Sequence, residues 1–150
     1  MDLTTWIYVS KSNMTSAEVA DEMEHIVEGA RIRNDSLQVT GALLFTGLRF
    51  VQLLEGPSAS ISLLQSSIFR DGRHEDVMTI SSHRIDKRAF DKWALAYAGP
   101  SRFVTGAVER AIVQSEHEAH ESANVLLRLL AQFSPLERQI EGPVSAFAAA

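Results

Sequence analysis

The chain has 150 residues, 45% of them hydrophobic and 22% charged, with a net charge of -5 and no cysteine. That is the size and makeup of one globular domain with a short appendage. An acidic balance with no Lys/Arg cluster argues against nucleic acid or an anionic membrane surface as a partner, and zero cysteines exclude disulfides, thiolate catalysis and cysteine-ligated metal sites.

The N-terminal stretch MDLTTWIYVS has no basic segment followed by a long apolar one, and no apolar run reaches the ~20 residues that span a bilayer. A soluble cytoplasmic protein is expected. TTWIYVS, short and rich in β-branched and aromatic residues, predicts a first strand with Trp6, Tyr8 and Ser10 on one face and Ile7 and Val9 on the other. After KSNM, Thr15 or Ser16 can cap a helix whose apolar stripe is Val19, Met23, Ile26, Val27 and Ala30, with its end near Arg31 to Asn34.

QVTGALLFTGLRFVQLLEG reads as two strands around a tight turn at Thr46-Gly47, where glycine supplies a positive φ. Gly56-Pro57 stops the third strand. Ile61, Leu64 and Ile68 in PSASISLLQSSIFRD then mark a second helix, and DGRHED a loop. DVMTISSHRID predicts a fourth strand and KWALAYA a fifth. From Gly99-Pro100 onward the pattern turns helical. Val104, Val108, Ala111 and Ile112, then Val125, Leu126, Leu129, Leu130 and Phe133, form the stripes of two helices with a break in SEHEAHES.

The order β-α-β-β-α-β-β gives an α+β, ferredoxin-like antiparallel sheet with both helices on one face. In that topology the first and third strands are adjacent and central. Gln52 stands out in FVQLLEG, because an amide in a strand buried on both faces costs roughly 1–3 kcal/mol if nothing meets it. Alternation puts Phe50, Gln52 and Leu54 on the same side as Trp6, Tyr8 and Ser10, so Tyr8 is the predicted neighbour of Gln52.

IYVS, RNDSLQVTGALLF, RFVQLLEGP, RDGRH and FDKWAL, in this order and at these intervals, resemble the BLUF family of flavin-binding blue-light sensors over about residues 3 to 98. The resemblance implies noncovalent FAD, with FMN or riboflavin as alternatives, held between the two helices. Tyr8 matches the tyrosine that gives an electron and a proton to the photoexcited flavin. Gln52 matches the glutamine between that tyrosine and the flavin, and Asn34 the asparagine on the pyrimidine edge. Arg33, Asp71, Arg73 and His74 complete the implied flavin site, with Asp71 orienting Arg73. Trp93 matches the tryptophan of the fifth strand that exchanges position near the glutamine during signalling. Leu95 stands where many members have methionine, and Ser67 where some have arginine.

The chemistry suits those residue types independently of the name. A flavin edge alternates acceptors and donors, and an amide side chain both donates and accepts. Exchanging the two ends of the Gln52 amide rearranges several hydrogen bonds without moving the backbone, each worth roughly 1 kcal/mol net. His117 and His120 lie three apart beside Glu116 and Glu121, a spacing able to chelate a metal, but no further ligands accompany them and a solvated face is the better reading. No metal site and no enzyme are therefore expected. Nor is there a Ser-His-Asp signature, a P-loop or a GxGxxG motif.

The organisation read from the sequence is thus a photosensor at 3–98, a helical extension at 99–140 packed on the sheet's other face, and a flexible tail at 141–150. The expected output is contact with a downstream signalling protein, with a homodimer through the C-terminal stripes. The rivals are an acylphosphatase-type hydrolase, weakened by the lack of a glycine-rich loop after the first strand, and a flavin-free interaction module, against which Tyr8, Asn34 and Gln52 speak together.

Overall fold

The computed structural model describes residues 2–15, 17–98 and 102–139; for 94–98, 102 and 133–139 it describes the backbone alone. The elements are β1 (Leu3–Ser12), α1 (Val19–Ser36), β2 (Thr40–Phe45), β3 (Arg49–Pro57), α2 (Ser58–Arg70), β4 (His74–Ile85), β5 (Trp93–Ala98), α3 (Arg102–Ser115) and α4 (Ala119–Gln139). One five-stranded sheet runs in the order β4-β1-β3-β2-β5. This is the ferredoxin-like β4-β1-β3-β2 antiparallel arrangement with a strand added at the β2 edge.

The added strand departs from the antiparallel expectation, since β5 pairs with β2 in parallel. Its direction follows from the connection. β4 ends at the edge of the sheet where Leu3 meets Ile85, and β2 begins on that same side. Residues 86–92 cross below β1, β3 and β2, about four strand spacings of ~4.8 Å, so the chain re-enters in the direction of β2. Phe90 is buried on the way.

Alternation along the strands divides the core in two. Trp6, Tyr8, Phe50, Leu54 and Trp93 face α1 and α2, together with Met23, Ala30, Ile61, Leu64 and Ile68. Ile7, Val9, Val51 and Leu53 face the other way and meet Val104, Val108, Ala111, Leu126, Leu129 and Leu130 of α3 and α4. The C-terminal stripes are thus spent on the sheet of their own chain. The two helices are pinned to each other by buried Ser122, whose hydroxyl donates to the Ala111 carbonyl at 2.8 Å.

Several boundaries move for local reasons. Half of a capping box starts α1: Glu18 accepts the Thr15 backbone N–H at 2.8 Å. Ser16 lies outside the described residues. The helix runs on to Ser36, beyond the expected end at Arg31 to Asn34, and Gln38 takes the left-handed φ of 58° that turns the chain into β2. β4 begins at His74, inside the expected loop, because a left-handed Asp76 at φ 52° lets the strand shift register and pair His74 with Ser12. The break between α3 and α4 falls within SEHEAHES. His117 lies in it and His120 in the first turn of α4, both exposed, and no metal-binding cluster occurs among the described residues. The expected tail at 141–150 lies outside them. No described helix is long and apolar enough to cross a membrane.

Gly41 governs how closely β2 lies on β3. Its φ is 147°, and a Cβ there would overlap the Leu53 carbonyl oxygen. Gly41→Ala is expected to destabilise the fold by at least about 1–3 kcal/mol, read as a lower urea midpoint at unchanged slope. An unshifted midpoint would show that β2 can move away without cost.

Candidate functional site

The antiparallel register places Tyr8 directly opposite Gln52. Both are buried, and Gln52 Nε2 donates to Tyr8 Oη at 2.6 Å. From the other side, the Trp93 indole Nε1–H donates to Gln52 Oε1 at 2.9 Å. An indole has no acceptor, so this bond fixes which end of the amide is which: the oxygen faces Trp93 and the NH2 group faces Tyr8. The amide that looked costly in the sequence has a partner at each end.

Above this row, α1 and α2 leave a cavity of about 180 Å³ between them. Tyr8, Gln52, Phe50 and Trp93 line its floor. His25, Ile26, Gly29 and Arg33 of α1 form one wall, and Asp71, Arg73 and His74 lie on the other. At Gly29 a Cβ would meet nothing within 4 Å, so the glycine leaves room rather than relieving a clash. Trp6 packs on Tyr8 with ring centroids 4.6 Å apart and anchors its own N–H on Thr79.

Burial pushes the Tyr8 phenol well above its ordinary value, against the opposing pull of the Gln52 hydrogen bond and the nearby Arg33 guanidinium. Tyr8 is therefore a neutral phenol at any ordinary pH. Arg33 is half-buried, and burial lowers its pKa from the usual guanidinium value.

The loop after α2 is organised internally. Asp71 holds Arg73 in a fork, Oδ1 to Nε at 2.9 Å and Oδ2 to Nη2 at 2.6 Å, and also accepts the Arg73 backbone N–H. These bonds keep the Asp71 carboxyl below its usual range. His74 bridges two elements: Nε2 donates to the Ile68 carbonyl at 2.7 Å, and Nδ1 shares a hydrogen bond of 2.7 Å with the Ser10 hydroxyl. Both ring nitrogens are committed to the protein, so His74 meets the cavity only through its carbons.

Asn34 does not line the cavity. It is fully buried in the last turn of α1 beside Arg33, whose Nε reaches Asn34 Oδ1 at 3.5 Å. It is not the helix C-cap, a position taken by Leu37, although its carbonyl accepts the Val39 N–H at 2.8 Å. The Asn34 Nδ2 group has no hydrogen-bond partner. A buried amide donor left so costs roughly 1–3 kcal/mol. Gln52 and Tyr8 on the cavity floor, with this open donor beside Arg33, are donors and acceptors of the kind that the alternating polar edge of a flavin would take. The residues fit that group.

Seven of the site residues named from the sequence therefore share one cavity, Tyr8, Arg33, Gln52, Asp71, Arg73, His74 and Trp93, and Ser67 lines it as well. Asn34 lies just behind it. The Leu95 backbone pairs with Leu43, and its side chain lies outside the described residues.

Two residues of this region escaped the sequence reading. Glu55 is buried, and its carboxylate accepts the backbone N–H groups of Ala89 and Phe90 at 2.9 Å. Burial raises its pKa against the pull of those bonds and of Arg88. Arg88 donates to the Thr40 hydroxyl and to the carbonyls of Glu55 and Gln38, each at 2.8 Å. A carboxylate inside FVQLLEG was as anomalous as the amide, and that signal could have found it.

A family model for sensors of blue light using FAD, BLUF, matches residues 3–96. Among curated proteins, the chain is 35% identical over 104 residues to photoactivated adenylate cyclase subunit beta of Euglena longa, covering 69% of this chain and 12% of that one. It is 37% identical over 90 residues to the blue light- and temperature-regulated antirepressor BluF of Escherichia coli (strain K12), covering 60% and 22%. The chain thus spans less than a quarter of either relative. Among solved structures, the dark state of BlrB, a BLUF protein, superposes with a TM-score of 0.66 at 28% identity, over 87% of this chain and 96% of that one. Fold and relatives agree, and the chain belongs to the BLUF family of blue-light sensors that use FAD.

Proposed function

We propose that residues 3–98 form a blue-light switch whose moving part is the row Tyr8–Gln52–Trp93, and that residues 99–140 carry its state to a partner protein. The observation behind this reading is the donor-only indole on the Gln52 oxygen. It holds the amide in one orientation while Trp93 is in place, because turning the amide end for end aims two donors at each other and Trp93 must then leave.

A bound flavin supplies the absorption of blue light and takes an electron while excited. Tyr8 is suited to give that electron, since a neutral buried phenol can release its proton as it is oxidised. For that interval the bond between Tyr8 and Gln52 changes character, and the amide is free to reorient. Arg33, Asn34 and Gln52 are the groups we assign to holding the flavin, with Arg73, braced by Asp71, beside it and His74 contributing ring contact.

Release of Trp93 bears on β5, which packs against α4 and α1. Arg49, at the start of the Gln52 strand, also pairs with Glu109 of α3 at 2.9 Å. Both links lead to the C-terminal helices. In this reading the chain turns over no substrate, and its output is protein contact. Self-association is part of the proposal, through Phe103 and Val113, which remain exposed on α3 after its stripe is spent on the sheet.

The protein is expected to be yellow and to show a small, reversible red shift of its flavin band under blue light; a colourless protein would overturn the sensor reading. Gln52→Leu should stay yellow and lose the shift, so a normal shift in that variant would remove Gln52 from the mechanism. Asn34→Ala should weaken flavin binding about tenfold, as loss of one buried hydrogen bond does, while lowering the urea midpoint of the flavin-free protein little. Equal affinity in a titration would detach Asn34 from the site. Because burial raises the Tyr8 pKa, its contribution to stability is fully present below the ordinary tyrosine value and is lost as pH climbs from there through the folded one. Tyrosinate absorbance gained between about pH 9 and 11 should therefore match in wild type and Tyr8→Phe; a deficit in the variant would mean that Tyr8 ionises like an exposed phenol.

A further inference from the structure

We infer that Glu55 and Arg88 are positioning residues for Trp93: they latch the β4–β5 connection to the underside of β2 and β3 and thereby hold the Trp93 indole on Gln52. The inference deepens the switch proposed above and rests on Trp93 reporting the state of Gln52.

The connection needs an anchor. Residues 86–92 cross about four strand spacings, or roughly 19 Å, without joining the sheet until the Lys92 carbonyl accepts the Gly41 N–H at 3.2 Å. In the middle of that crossing, the Glu55 carboxylate takes the N–H groups of both Ala89 and Phe90. Beside it, the Arg88 guanidinium gathers Thr40, Glu55 and Gln38 from the β2 and β3 ends. Thr40 and Glu55 lie on the two strands that carry Gly41 and Gln52, and Gln38 lies in the turn that leads into the first of them. Trp93 follows Phe90 by three residues.

Such an arrangement is more than loop closure. A buried carboxylate on backbone N–H groups is costly unless fully met, and bonds to charged groups are the stronger kind. Glu55 is on the same strand as Gln52 and three residues along it. One strand therefore holds the indole partner and also the support of the segment that delivers the indole. Weakening the latch lets the connection drift, and Trp93 Nε1 loses its fixed distance to the Gln52 oxygen while the rest of the sheet stays in register.

The chain has two tryptophans, Trp6 and Trp93, whose indole N–H groups go to Thr79 and Gln52 respectively. The ¹⁵N–¹H spectrum of the flavin-loaded protein in the dark therefore contains a reporter and an internal control, assigned by loss of one cross-peak in Trp93→Phe. In Glu55→Gln and in Arg88→Gln, the Trp93 cross-peak is expected to move upfield and its hydrogen exchange to speed up about tenfold, with the Trp6 cross-peak in place. A Trp93 cross-peak unmoved in both variants overturns the inference. If Glu55→Gln disturbs Trp6 as well, Arg88→Gln, at a half-buried side chain, decides alone. Joint displacement of both indoles in both variants would make the pair a fold element only and would equally overturn it. The measurement needs no light, so a protein without a light-induced shift would defeat the sensor reading without touching this result.

Discussion

The arrangement of the site depends on one asymmetry: an indole N–H can give a hydrogen bond and cannot take one. Because Trp93 sits against Gln52, the amide has a single favourable orientation, and that orientation dictates that Tyr8 receives a bond rather than gives one to Gln52. The phenol proton is then not directed along the row. A phenylalanine at position 93 would keep an aromatic ring there but leave both amide orientations open, and the row would lose its memory of which end is which.

The energies are on a scale suited to a switch. Each hydrogen bond exchanged is worth roughly 1 kcal/mol net, small beside a domain stability of about 5–15 kcal/mol, so the amide can turn without endangering the fold. The surroundings are correspondingly firm. Trp6 is stacked on Tyr8 and tied to Thr79, His74 is tied at both nitrogens, and Asp71 grips Arg73. Rigid walls around a weakly held amide concentrate the change where Trp93 can feel it. Asn34 shows the opposite economy: its amide donor has no hydrogen-bond partner, which detracts from the stability of the protein by itself.

Much of this was legible in the sequence because it rests on alternation. Period two in TTWIYVS and RFVQLLEG assigns Tyr8 and Gln52 to one face, and the βαββ order makes their strands adjacent, so their contact follows. The parallel pairing of β5 was not legible, since it is set by where a connection crosses, and residues 86–92 carry no pattern that announces a crossing. The sequence predicts a loop at His74 because the register shift at Asp76 has no glycine to mark it. Glu55 was passed over although it breaks the apolar run just as Gln52 does; its partners are backbone N–H groups, which no side-chain pattern reveals.

The C-terminal helices illustrate how packing can redirect a reading. Their stripes at Val104, Val108, Leu126, Leu129 and Leu130 have the spacing of an interface, and they form one, but with Ile7, Val9, Val51 and Leu53 of the same chain. Those four sheet residues alternate with Trp6, Tyr8, Phe50, Gln52 and Leu54 on β1 and β3. Each strand therefore carries the photochemical face and the helix-bearing face one residue apart. Any backbone movement that answers Gln52 is presented to α3 and α4 through Val51 and Leu53, without a hinge or a long relay. A close-packed core transmits such shifts rather than absorbing them, and this makes a thin sheet covered on both sides a suitable body for the switch proposed above, in which a change of hydrogen bonding at one buried amide is read by the helices beneath it.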